Sequence, residues 1–176
     1  MTFRESTTIC IERVARTGSA VEIIDTEPNP FLGTVGLELS PRPPGSGVTF
    51  ELAVSHKAVP IHVFDSVEQF RQLMERTVQE TLGQGLHGWA VPDCRLTMTH
   101  AGYWAKQSHS HAVFDKSMSS TAGDFRNLTP LVVMAALARA GTEVHEPLHR
   151  FRLEVPADTL GPVTSCLLYT SDAADD

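Results

Sequence analysis

Cysteine is scarce in this chain, and its three copies are scattered: Cys10, Cys94 and Cys166 form no C-x-x-C pair. An odd count at such spacing supplies neither a disulfide framework nor a structural zinc site. Long apolar runs are missing too. No stretch approaches the roughly 18 consecutive apolar residues that a membrane-spanning helix needs. Residues 1–16 interleave Arg4, Glu5, Glu12 and Arg13 with apolar positions, so they lack the uninterrupted core of a signal peptide. These absences lead to the expectation of a cytoplasmic protein. The phosphate-cradling pattern G-x-x-x-x-G-K-[ST] is absent, so nothing in the chain is expected to hold GTP or ATP. Excess positive charge is lacking as well. A formal charge of −7 counts against a general nucleic-acid binder and makes DNA an unexpected partner.

What is present is ordinary for a globular protein. The 176 residues are 41% hydrophobic and 20% charged, enough for one domain with a core, or one domain plus a fragment of another. Residues 8–14, 20–24 and 31–39 carry apolar and β-branched residues at strand spacing. Pro41 to Gly47 forces a turn, and residues 48–54 alternate again through Val48, Phe50, Leu52 and Val54. An antiparallel pair across that turn is expected. From Ser66 to Leu82 the period changes. Val67, Phe70, Met74, Val78 and Leu82 recur at three- and four-residue steps, predicting a helix with Ser66 and Gln69 as its capping box.

Residues 93–99 return to strand spacing, and residues 101–120, rich in Ser, His and Lys, read as a long loop. A second helix is expected over 123–140, with Phe125, Leu128, Leu131, Val132, Ala135 and Ala138 inward. Pro130 should kink it or mark its first turn. Residues 143–155 read as a further strand. The order predicts an α+β domain with its helices on one side of a mostly antiparallel sheet.

Each motif has a plain reading beside a chemical one. Gly83-Gln84-Gly85-Leu86-His87-Gly88 matches G-x-G-x-x-G, but it follows a helix where a dinucleotide site would follow a strand. A helix stop and turn is the expectation. His100, His109, His111 and Asp115 lie close in sequence, yet no fixed helical spacing supports a metal site, and a polar loop is favoured. Cys94 is in phase with Leu96 and Met98, which predicts a buried strand cysteine and not a nucleophile. Trp89 is expected to plug the core. Trp104, beside Tyr103 and Lys106, is read equally as a base-stacking ring or a packing one.

The segment Gly88-Trp89-Ala90-Val91-Pro92-Asp93-Cys94 resembles the Gly-Trp-x-Val-x-Asp-Cys stretch of tetracycline-resistance ribosomal protection proteins, relatives of elongation factor G. Further matches follow in order: Pro28-Asn29-Pro30-Phe31, Gly45-Ser46-Gly47, and the run from Ser120 to Val132 with Asp124-Phe125-Arg126 at its heart. Ala140-Gly141-Thr142-Glu143 and Glu146-Pro147 resemble the passage from the fourth to the fifth domain. Gly102 to His109 is similar to the oxytetracycline-producer self-resistance branch.

The resemblance implies an architecture: residues 1–7 end a preceding third domain or linker, and 8–142 form an elongation factor G-like fourth domain. That domain would be a lobe like ribosomal protein S5 domain 2. Residues 143–163 would begin a truncated ferredoxin-like fifth domain, and 164–176 read as a non-native tail. The implied function is ribosome binding and displacement of tetracycline from the decoding region of the small subunit, through contact with its ribosomal RNA. The implied tip loop comprises Tyr103, Trp104, Lys106, Gln107, Ser108, His109, His111, Lys116, Ser117, Met118, Ser119, Ser120 and Thr121. A second tip loop comprises Lys57, Ala58, Val59 and Pro60. Many family members carry proline where Met118 stands, and residues 105–116 read as extra length.

No catalytic residue, metal or cofactor is expected in this chain. GTP and magnesium belong to a GTP-binding domain expected before Met1, which makes the parent a GTPase and this piece not an enzyme. A monomer is expected, without membrane partners. An ordinary elongation factor G acting in translocation is the alternative reading. A small His-rich metal-dependent hydrolase is the remote one.

Overall fold

The computed structural model describes residues 9–105, 119–146 and 152–172, with the side chains of 167–172 left aside. In chain order the strands are β1 (Ile11–Val14), β2 (Gly18–Glu22), β3 (Gly33–Pro41), β4 (Thr49–Leu52), β5 (Cys94–Tyr103) and β6 (Thr142–His145). The helices are α1 (Ile61–Phe64), α2 (Val67–Thr81), α3 (Ala122–Ala140) and α4 (Leu160–Asp172), with a 3-10 turn at His56–Ala58. No helix among the described residues is long and apolar enough to cross a membrane.

Four strands form one sheet in the order β2-β3-β5-β4. The expected hairpin between β3 and β4 does not form. β5 lies between them, antiparallel to β3 and parallel to β4. The physical reason lies in which strand can bury most. Cys94, Leu96 and Met98 of β5 are fully buried, whereas Phe50 and Leu52 of β4 are only half-buried and suit an edge. A parallel neighbour needs a crossover, and α2 supplies it. The Pro/Gly turn is held to the start of β5 instead of closing a hairpin. Gly47 N donates to Asp93 Oδ1 at 2.9 Å, and Arg42 N donates to Asp93 O at 3.2 Å.

α2 matches its expectation. Ser66 Oγ accepts from Gln69 N at 3.2 Å, the serine half of the expected capping box, and Phe70, Met74 and Val78 are fully buried. α3 begins a residue early and runs through Pro130 without ending, so the proline is interior. Its phase differs from the expectation. Phe125, Leu128, Val132, Val133, Ala136, Leu137 and Ala140 face the core, while Leu131 is 54% exposed and Ala138 is exposed. Thr129 joins the inward arc because its hydroxyl bonds Phe125 O at 2.7 Å, which satisfies the buried polar group.

Both long helices lie over the sheet, α3 against β2 and β3 and α2 against α3. Gly18 permits the closest approach, since a Cβ there would stand 2.5 Å from Ala136 O. Between the helices and α1, Phe64, Phe70 and Phe125 meet edge to face with centroids 5.1 to 5.9 Å apart. Burial of Phe70 and Phe125, both fully removed from water, contributes about 1.5–3 kcal/mol each.

Two further expectations are corrected. Residues 101–103 are not loop: β5 continues through them, pairing Ala101 with Val35 and Tyr103 with Gly33. The strand expected over 143–155 is only Thr142–His145, because its partner β1 is four residues long and the ladder ends at Ile11 opposite His145. Described residues 152–156 adopt no strand, and Phe151 lies outside the described residues. The pairing of β6 with β1 brings together the two ends of the lobe. In α4 the residues 160–162 and 164–166 are exposed; the side chains of Leu167, Leu168 and Tyr169 lie outside those described.

Candidate functional site

One end of the lobe gathers the start of α3, the end of β5 and the segment before α1. Asp124, in the first turn of α3, reaches back to its cap: Oδ2 accepts from Thr121 N and Thr121 Oγ1, both at 2.7 Å. Its other oxygen accepts from Leu32 N at 3.1 Å. Ser120 completes a clasp. Its hydroxyl accepts from Trp104 N at 2.8 Å and donates to Leu32 O, and its own N donates to Trp104 O at 3.3 Å. Trp104 and Ser120 thus hold the two ends of the intervening segment side by side, pinned to Leu32.

Ser119 and Ser120 are buried, so in this structure they serve as anchors and not as solvent-facing contacts. Trp104 is half-buried. Of the expected tip residues, Lys106, Gln107, Ser108, His109, His111, Lys116, Ser117 and Met118 lie outside the described residues.

The second segment stands beside this neck. Its 3-10 turn packs on β5, and Ser55 Oγ accepts from Lys57 N at 3.3 Å. Lys57 is exposed, Ala58 half-buried, and Val59 and Pro60 buried, so only Lys57 of the four is offered fully to a partner. Sequence reasoning missed His62. Its exposed imidazole lies 5.1 Å from the Tyr103 ring, tilted by 42°, and links the two segments. Only its place two residues beyond Pro60 hinted at it.

The opposite end holds a second polar constellation. Glu12 on β1 is completely buried. Its Oε1 accepts from His87 N at 2.7 Å and Trp89 N at 3.0 Å; its Oε2 accepts from Leu86 N at 2.8 Å and Thr142 Oγ1 at 2.7 Å. Burial by itself raises the carboxyl's pKa, but the bonds from Thr142, His87, Trp89 and Leu86 together outweigh it and hold the group below its ordinary value. Gly85 makes room, since a Cβ there would stand 2.5 Å from Glu12 Oε2. The G-x-G-x-x-G segment is a turn after α2, and its amides serve a carboxylate of the same chain where a nucleotide site would need them for phosphate. Trp89 is half-buried and outside the core, a correction: its backbone, not its ring, carries the structural role.

The remaining chemical candidates are placed as follows. Cys94 is fully buried, and burial, reinforced by the Asp93 carboxylate, pushes its thiol up to about 12, where it stays protonated. His100 is exposed with Nδ1 2.9 Å from Thr99 Oγ1. Among the described residues no three His, Cys, Asp or Glu gather as a metal site; His109, His111 and Asp115 lie outside them.

A sheet with both long helices on one face, and the Trp104–Ser120 clasp beside the start of α3, are the frame for the comparison with known domains. The family profile for elongation factor G, domain IV, covers residues 10–141, and the chain belongs to that family. Its relatives include the oxytetracycline resistance protein of Streptomyces rimosus, 41% identical over 168 residues. That match covers 94% of this chain and 22% of the relative. The tetracycline resistance protein TetM of Streptomyces lividans is 42% identical over 158 residues, covering 89% and 22%, and TetO of Campylobacter jejuni is 34% identical over 157, covering 89% and 22%. The resemblance read from the sequence, to the tetracycline-resistance relatives of elongation factor G, is therefore shown. The chain spans about a fifth of the length of these relatives. A crystal structure of a Thermus thermophilus protein shares the fold at TM-score 0.55 and 16% identity, covering 81% of this chain and 19% of that one.

Proposed function

We propose that this chain is the part of a tetracycline resistance protein that enters the decoding region of the small ribosomal subunit and displaces tetracycline. It acts by occupying space and by local contact with ribosomal RNA, in the cytoplasm and as a monomer. It makes no covalent change itself; in the parent, GTP and magnesium belong to a separate domain, and GTP hydrolysis releases the factor. One observation supports this reading most: the Trp104–Ser120–Leu32 clasp holds the two flanks of the expected tip segment together against the sheet and the start of α3. A loop fixed at its neck delivers its contacts at a defined position, which lowers the ordering cost of binding. Trp104 and the expected tip residues of 106–118 supply those contacts, with Tyr103 at the end of β5 and Lys57 and His62 beside it.

The test is a graft. This chain replaces the corresponding segment of the oxytetracycline resistance protein, and translation is measured in the presence of tetracycline. Protection is expected. Replacing residues 106–118 with a short glycine-serine link should abolish it while GTP hydrolysis continues. Protection that survives this replacement would refute the reading. The family match also admits an ordinary elongation factor role, which the same graft would reveal by supporting translocation in place of protection.

A further inference from the structure

Between α2 and α3 runs an open groove of about 250 Å³, beginning beside the Thr121 cap. Leu73 and Phe64 line its apolar part, Gln69 and Gln72 contribute amides, and Arg76 and Arg126 contribute guanidinium groups. No carboxylate lines it. The acids nearby are engaged elsewhere. Arg71 holds Glu68 at 2.9 Å and Glu75 at 2.7 Å, and Asp124 is bound to Thr121 and Leu32. Glu80 approaches Arg76 only to 3.9 Å, with both side chains well exposed, so water screens the contact. Arg126 is exposed and carries no ion pair among the described residues. On a chain of net charge −7, the helix face therefore presents a local cationic slot.

We propose that this groove is a clamp for the phosphate backbone of small-subunit ribosomal RNA, a second contact beside the loop, and it rests on the ribosome reading above. Guanidinium forks match phosphate oxygens, the glutamine amides donate to phosphate or ribose oxygens, and the apolar floor receives the sugar. The groove adjoins the start of α3, so a strand of RNA meeting the Trp104–Ser120 clasp continues along it. A contact of this kind fixes orientation and carries no base preference.

The experiment uses the whole chain and purified small ribosomal subunits. Association is measured against salt concentration for the unsubstituted chain and for the double variant Arg76→Gln, Arg126→Gln, both checked for native circular dichroism. Each lost phosphate contact should lower the log–log salt slope by about one. The double Arg→Lys variant should retain most of the slope. A photoreactive residue in place of Gln72 should crosslink to ribosomal RNA. An unchanged slope in the double glutamine variant, with Lys57→Gln still weakening association, overturns the groove and leaves the ribosome reading standing. Crosslinks to a subunit protein overturn it equally. No association of the unsubstituted chain removes both readings.

Discussion

Glu12 and Thr142, 130 residues apart in sequence, meet through a 2.7 Å hydrogen bond from Thr142 Oγ1 to Glu12 Oε2. The same carboxylate holds the glycine turn, so β1, β6 and the end of α2 converge on one buried charge. Entry to and exit from the lobe are thereby fixed relative to each other.

Replacing Glu12 with glutamine should destabilise the fold by about 2–4 kcal/mol, since its amide cannot accept from three N–H groups with both atoms. The pH dependence follows from the lowered pKa. The folded value lies below the unfolded one, so the stabilisation is complete above the unfolded carboxylate value of about 4.3 and is lost as pH falls through the folded value. Urea titrations at pH 7 and pH 3 should show a larger loss for the native chain than for Glu12→Gln.

Gly85→Ala should act through the same carboxylate, because the added methyl would lie 2.5 Å from Glu12 Oε2. A loss of about 1–3 kcal/mol is expected. Combined with Glu12→Ala, the two losses should fall short of their sum. A double-mutant cycle with additive losses would show that the turn does not depend on Glu12.

Ser120→Ala removes the acceptor for Trp104 N and the donor to Leu32 O. Both partners lose a bond in a part-buried site, at a cost of about 1–3 kcal/mol. In the grafted resistance protein it should lower both thermal stability and protection, whereas exposed Lys57→Gln should lower protection with little change in stability. Thermal melts and translation assays on the pair separate anchor from contact.

The phase of α3 gives a direct contrast. Leu131→Gln should change stability by no more than about 0.5 kcal/mol, because the side chain is 54% exposed. Leu128→Ala, 1% exposed, should cost about 2–5 kcal/mol. Equal losses at the two sites would restore the inward placement that periodicity alone predicts for Leu131.

Local chemistry was legible in the sequence wherever one element settles it. α2 declares itself because Ser66 caps it and Phe70, Met74 and Val78 share one face of a single helix. The phase of α3 was less sharply readable than its start, since the helix is apolar on almost every side from Leu128 onward. Its inward arc was decided by β2 and β3, on which it rests.

Residue order also announced the family, through the Gly88–Cys94 segment and the run from Ser120 to Val132. It did not announce that β5 would part β3 from β4, because strand pairing is settled by burial among distant segments and a hairpin is only the nearest option. Nor did anything around Glu12 mark it as a latch. A lone carboxylate in a short strand acquires that role only when a turn some 75 residues away aims three amides at it, and the lowering of its pKa comes from those amides together with the Thr142 hydroxyl. The sequence by itself determined the two long helices, the turns and the kinship; the tertiary structure alone decided the strand order, the clasp at Ser120 and the charge buried beneath Gly85, because each depends on atoms that meet only after the chain has folded.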